Sequence, residues 1–193
     1  TFIPAVLNYT EKLIELKKDA AAIEIIKKTW RIQPHPDLIL PYWRGSKAQD
    51  ELAIMKTTER LALENPDHPE SFIALARAAM EAELWGEARK HLTALTPKYG
   101  GHDEARICRL WAELEKLENQ NFSESQAWLT RALLANSDPA WVCAKCGSST
   151  NDWSGFCGNC NSFDSLSWTQ PDPINGGYLP AKPYKKTDAS YNN

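Results

Sequence analysis

The sequence predicts an all-α array of repeated helix pairs over 1–138, a small metal-bound module over 139–170 and a flexible tail over 171–193. Three observations carry this. The stretch HPDLILPYWR at 35–44 matches HPESFIALAR at 68–77 without gaps, 33 residues on, with His, Pro, an acid and Arg in register. Apolar residues recur at helical spacing through the first two thirds of the chain. CAKCGSSTNDWSGFCGNC then sets two CxxC pairs ten residues apart, where helical spacing stops.

A fixed period of this size with helix-turn-helix content is close to the tetratricopeptide length of about 34 residues. The best unit starts at Pro69, with Phe72, Leu75, Ala76, Ala79, Ala88, Leu92 and Leu95 at the packing positions of its two helices. One period back, a unit starts at Pro36. A further period back, one starts at Ile3, with Val6, Leu13, Ala22 and Ile26 facing inward. Forward, Ala105, Cys108 and Ala112 fit a first helix, whereas SESQAWLTRALL fits a second only after a short insertion around ENQNFS. Asn65-Pro66, Thr96-Pro97 with Gly100-Gly101, and Asp138-Pro139 punctuate the pairs. Four helix pairs are expected. A single pair cannot bury its apolar stripe, so stacking supplies the core. Cys108 falls on a packing face and reads as a small buried hydrophobe. His35, His68, His91 and His102 read as turn or surface residues rather than ligands.

A formal net charge of -3 and a pI near 5.8 give no basic field for nucleic acid or an anionic membrane. No apolar run approaches a membrane span, and no signal peptide is visible. The chain starts at Thr1 without Met, so the expectation is a piece of a longer protein.

Around Cys143, Cys146, Cys157 and Cys160 crowd Trp141, Trp153, Phe156, Phe163 and Trp168. So few residues cannot fold on apolar burial alone and need a metal or disulfides. Each CxxC lets one tight turn present two thiolates, and ten intervening residues suit a hairpin that brings the second pair opposite, so four sulfurs form a tetrahedron. Gly147 and Asn161, directly after each pair, are residue types that adopt positive φ in such turns. Paired disulfides are the alternative and would need an oxidising compartment. The expected ion is one zinc, closed and structural. Four soft thiolates suit iron as well.

CGSSTNDWSGFCGNCNSFDSL resembles the ribbon of RadA-type recombination proteins and the rubredoxin-like tail of the tetratricopeptide lipopolysaccharide-assembly protein LapB. No GxxxxGK[ST] loop is present, so the RadA ATPase does not carry over. Over residues 1 to 170, WRIQPHPDL, DHPESFIALARAAMEAELWGEARKHL, WAELEK, QAWLTRALLANSDPAWVC and FDSLSW resemble the carboxy-terminal part of the HemY family of tetratricopeptide proteins. That resemblance implies a bacterial inner-membrane protein with membrane helices upstream, this portion in the cytoplasm, and a link to haem biosynthesis. The porphyrinogen oxidase that shares the family's name is not implied, since no GxGxxG is present.

The expected function is a non-enzymatic scaffold whose concave face binds a protein partner, which the resemblance makes a late haem-pathway enzyme. Repeat positions that point into such a groove give Arg44 and Lys47 in one unit and Ile73, Arg77 and Met80 in the next. Two alternatives share the architecture: a LapB-like regulator of envelope assembly, and a rubredoxin-like electron carrier holding iron on the four thiolates.

Overall fold

A computed structural model describes residues 1–99 and 104–171. The expected tail lies, from 172 on, outside the described residues, as do Gly100, Gly101 and His102. The chain divides into two units, Thr1–Asn136 and Ser137–Asn193.

The repeated His-Pro-acid motif explains how helices begin in the first unit. Proline suits the first helical position because its missing N–H would be unpaired there anyway. The preceding histidine then acts as the N-cap: His35 Nδ1 accepts from the Asp37 N–H at 3.3 Å, and His68 Nδ1 accepts from the Glu70 N–H at 3.1 Å. Of the turn or surface roles expected for the histidines, His35 takes the turn role, and it does so fully buried. An accepting Nδ1 must be unprotonated. Burial, and then the nearby Arg106 charge, hold the His35 pKa down to about 4 and lower that of His68. The Asp37 carboxylate, 3.5 Å from the same His35 nitrogen, pulls the other way and does not prevail.

Eight α-helices follow among the described residues. They are α1 (Ile3–Glu15), α2 (Asp19–Ile32), α3 (Ile39–Ser46), α4 (Glu51–Ala62), α5 (Pro69–Glu81), α6 (Trp85–Tyr99), α7 (Ala105–Asn119) and α8 (Phe122–Leu134). α1 packs on α2, α5 on α6 and α7 on α8 as antiparallel hairpins, and α3 packs on α2 and α4. The first helix of each pair ends on a left-handed residue, at Lys17, Lys47, Glu83 and Gln120. At Lys17 and Glu83 the closing bonds are the same: Lys18 N–H reaches Leu13 O at 2.8 Å and Leu84 N–H reaches Ala79 O at 2.8 Å.

Two apolar clusters form the core. One gathers Ile3, Ile26, Trp30, Leu38, Tyr42, Leu61 and Ala74, and the other runs from Met55 through the alanines of α5 to Trp111 and Trp128. Cys108 is fully buried in the second, as its spacing indicated. Between helices, the Trp30 indole N–H donates to Ser71 Oγ at 3.0 Å, which donates onward to Asn65 O at 2.7 Å. No helix among the described residues is long and apolar enough to cross a membrane.

In the second unit β1 (Ala140–Cys143) is the central strand of an antiparallel sheet of order β2-β1-β3. β2 (Ser149–Thr150) places Thr150 opposite Trp141, and β3 (Leu166–Thr169) places Leu166 opposite Cys143. The molecule is therefore mostly helical, with a four-cysteine cluster near its carboxy-terminal end.

Candidate metal centre

Both CxxC pairs sit on the same turn built twice, 14 residues apart. Cys143 N–H donates to Ser148 O and Cys157 N–H to Ser162 O, each at 2.9 Å, while Gly147 N–H and Asn161 N–H bond back to Cys143 O and Cys157 O, also at 2.9 Å. Gly147 and Asn161 take φ of 71° and 56°, the left-handed conformation that their residue types allow. β1 pairs the first turn with the sheet, and a Phe156–Phe163 bridge with rings 5.2 Å apart closes the second.

The four sulfurs lie within 4.8 Å of one another. Cys143 Sγ is 3.7 Å from Cys160 Sγ, and Cys146 Sγ is 3.7 Å from Cys157 Sγ, so the close approaches run across the two turns. A disulfide needs an S–S distance of about 2.05 Å, and all four cysteines are free. Four sulfurs around a tetrahedral ion with bonds of about 2.3 Å stand roughly 3.8 Å apart. The two separations of 3.7 Å match this and all four sulfurs lie within 4.8 Å, so Cys143, Cys146, Cys157 and Cys160 could together hold one metal ion. The donor set leaves the identity of the ion open.

Serine hydroxyls, which sequence reasoning passed over, surround the sulfurs. Ser148 Oγ lies 3.1 Å from Cys146 Sγ and 3.3 Å from Cys157 Sγ, bridging the two turns. Ser165 Oγ lies 3.2 Å from Cys143 Sγ, and Ser162 Oγ 3.2 Å from Cys160 Sγ. Asn159 Nδ2 donates to Cys146 Sγ at 3.5 Å. The hydrogen bonds from Ser148, with help from Asn159, bring the Cys146 thiol down to about 5, into its thiolate form at neutral pH. Their sequence signal is the repeated Cys-Gly-Ser and Cys-Asn-Ser at 146–148 and 160–162.

The residues expected to line a groove are divided by the structure. Two neighbouring cavities, of about 650 and 210 Å³, share Trp43, Arg77 and Arg106 and run along α3, α5 and α7. Arg77 borders both, Met80 the larger and Ile73 the smaller, although Ile73 and Met80 are themselves buried side chains. Arg44 borders neither. Lys47 is the left-handed C-cap of α3 and pairs with Asp19 at 3.0 Å. The reason is local: residues 36–38 form a 3-10 turn, and α3 proper starts only at Ile39. A tighter turn of about 3.0 residues shifts the angular register of everything after it.

Arg106 sits where these cavities meet, with nothing in the periodicity to announce it. Its Nη1 bonds Glu70 Oε1 at 2.5 Å and its Nε bonds Glu104 Oε2 at 2.8 Å. Glu70 is buried, which raises its carboxyl pKa, although Arg106 pulls it back down.

No family model matches the chain. A curated relative, the probable magnetosome protein Mms48 of Magnetospirillum gryphiswaldense, is 30% identical over 187 residues, covering 93% of this chain and 40% of the relative. The chain therefore spans well under half the length of that protein. These findings overturn the assignment to the HemY family. The relative that matches over 93% of the chain is named for the magnetosome, and no family model, tetratricopeptide or other, matches. The haem-pathway partner that rested on that resemblance falls with it.

Proposed function

We propose that the chain is a non-enzymatic interaction scaffold: stacked helical hairpins that hold a protein partner in the groove along α3, α5 and α7, followed by a ribbon folded around one structural zinc ion. The observation that carries the binding half is Arg77. It borders both cavities, is exposed, and makes no hydrogen bond or ion pair with the described residues. A guanidinium so placed is suited to a carboxylate of the partner, which it can grip with two parallel hydrogen bonds. The indole face of Trp43 and the apolar wall beside it supply contact area.

For the ribbon, the support is four thiols within 4.8 Å, two pairs of them at the 3.7 Å that a tetrahedral site needs; four such ligands leave no position for a reacting water. Zinc is the reading because it has no geometric or redox demand that the site must meet. The free thiols favour a reducing compartment, and on that support we assign this portion to the cytoplasmic side of a bacterial membrane. The name of the relative suggests the cellular setting, association with magnetosomes, and with it a partner among the proteins found there.

The test is crosslinking in cells with the full-length protein, identification of the captured chain, and measurement of its binding to purified protein. Arg77→Glu is expected to abolish binding, whereas Arg44→Glu, outside both cavities, leaves it unchanged. Equal loss in both variants, or in neither, would contradict the groove.

A further inference from the structure

The larger cavity differs from its neighbour in charge. Ile54 of α4, Met80 of α5 and Leu110 of α7 give it an apolar wall, and Glu51, Glu81 and Glu113 stand on its border. All three carboxylates are exposed, and none makes a hydrogen bond or ion pair with the described residues. The arginines that share the cavity are placed otherwise. Arg106 bonds Glu70 and Glu104, neither of which borders the larger cavity, and Arg77 also feels the Glu70 charge. Arg77, Arg106 and Arg109 thus face five carboxylates, Glu51, Glu81 and Glu113 in the cavity and Glu70 and Glu104 beside it. The balance is negative, and it stays so with Glu70 protonated. The end of α5 adds to it. Glu81 is the last residue of that helix, whose final turn has no basic residue, and a helix C-terminus carries partial negative charge that favours a cation.

An apolar wall with an acidic rim selects its occupant. Aspartate or glutamate would meet like charge there. A neutral side chain would cover Met80 and Leu110 and gain nothing from the carboxylates. Lysine and arginine supply both parts, an apolar stem and a cationic head that reaches beyond it.

We propose that the larger cavity takes a lysine or arginine side chain of the partner's bound segment, its stem against Met80 and Leu110 and its head at the rim of Glu51, Glu81 and Glu113. With a carboxylate on Arg77, the segment carries both signs of charge, its cation towards the carboxy-terminal end of α5. This rests on the groove reading above and names the charge pattern that the groove takes.

The experiment uses the whole chain and follows amide signals during titration with n-pentylamine or n-butylguanidine, both cationic at neutral pH, and with 1-pentanol as the neutral analogue. Each cation is expected to bind roughly fivefold more tightly than 1-pentanol, since exposed charge pairs each add modestly, and salt shrinks the difference. The Met80 and Leu110 amide signals are expected to move. Glu81→Gln with Glu113→Gln removes the preference for cations, whereas Glu11→Gln with Glu24→Gln, which takes the same charge from α1 and α2, leaves it. Equal binding of cations and alcohol, or no saturable binding of either cation, overturns the proposal. On the captured partner, Glu81→Gln with Glu113→Gln is expected to weaken binding roughly tenfold; unchanged binding overturns the assignment to the partner. If the cations fail to bind while Arg77→Glu still abolishes partner binding and Arg44→Glu does not, the cation site falls and the groove stands. If the cations bind but Arg77→Glu leaves partner binding unchanged, the groove reading falls and this proposal with it.

Discussion

The helical unit and the ribbon keep their folds by different means. In the helices the buried set is large and chemically ordinary, with Trp30, Ile26, Leu38, Leu61, Leu92 and Leu114 all inaccessible to solvent. The ribbon's buried apolar set is Trp141, Cys143, Cys157 and Leu166, and two of these four are candidate metal ligands. Apolar burial that suffices for a stack of hairpins is thus thin in the ribbon, and on the proposed reading bonds from the four sulfurs to an ion supply what side chains do not. The comparison teaches where each region is vulnerable: the first to holes in its core, the second to loss of metal.

The sharpest way to break the comparison is to remove the metal. A structural zinc site contributes an apparent ~10–16 kcal/mol in small peptides, so chelation, or Cys157→Ser, is expected to unfold 140–169 while the helices persist. Near-ultraviolet dichroism and the indole signals of Trp141, Trp153 and Trp168 report the ribbon, and far-ultraviolet dichroism reports the helices. Survival of the ribbon signals in metal-free protein would mean that burial alone holds it.

The converse variant is Trp30→Ala. It empties a fully buried site and leaves Ser71 without the indole donor, which together destabilise by about 3–5 kcal/mol. The expected result is a lower melting temperature of the helical signal with unchanged metal content. Loss of metal along with it would show that the two units are not independent in stability.

Acid is expected to act on the helices through His35. Its folded pKa, about 4, lies below the ordinary value of 6.5. The folded state therefore binds fewer protons than the unfolded chain between these values. Stability is fully present above pH 6.5 and declines as pH falls towards 4, by a total of about 3 kcal/mol. Urea unfolding of the helical signal at pH 7 and pH 4.5 measures this. A His35→Asn variant, which keeps an N-cap acceptor and loses the titration, is expected to flatten the dependence; an unchanged slope would assign it to other groups.

Smaller still is the effect of Ser148→Ala. Removing the hydroxyl that reaches both Cys146 and Cys157 leaves the four ligands in place. Outer-shell hydrogen bonds of this kind are worth roughly 10–100-fold in metal affinity. Competition with a chromophoric chelator reads the loss. Affinity equal to the parent would reduce the serine to packing.

How much of this was legible in the sequence follows the range of the forces involved. The CxxC spacing and the positive φ of Gly147 and Asn161 depend on a few consecutive residues, and both could be read directly. The His-Pro-acid match was equally visible, but the cap was not anticipated because histidine is not among the usual capping residues, Ser, Thr, Asp and Asn. The groove positions in α5 came out beside the cavities because α5 runs unbroken from Pro69. Those in α3 did not, because the 3-10 turn at 36–38 ended the register that the repeat numbering assumed. Arg106 and Glu70 meet across 36 positions of sequence. Nothing local marks either one as a partner of the other.

The most direct test of the central claim is X-ray absorption at the metal edge of the reduced, purified chain, with metal content measured on the same sample. One ion per chain with four sulfur neighbours at about 2.3 Å is the result expected from Cys143, Cys146, Cys157 and Cys160. A folded ribbon without metal, or an ion bound by nitrogen and oxygen in place of sulfur, would contradict it.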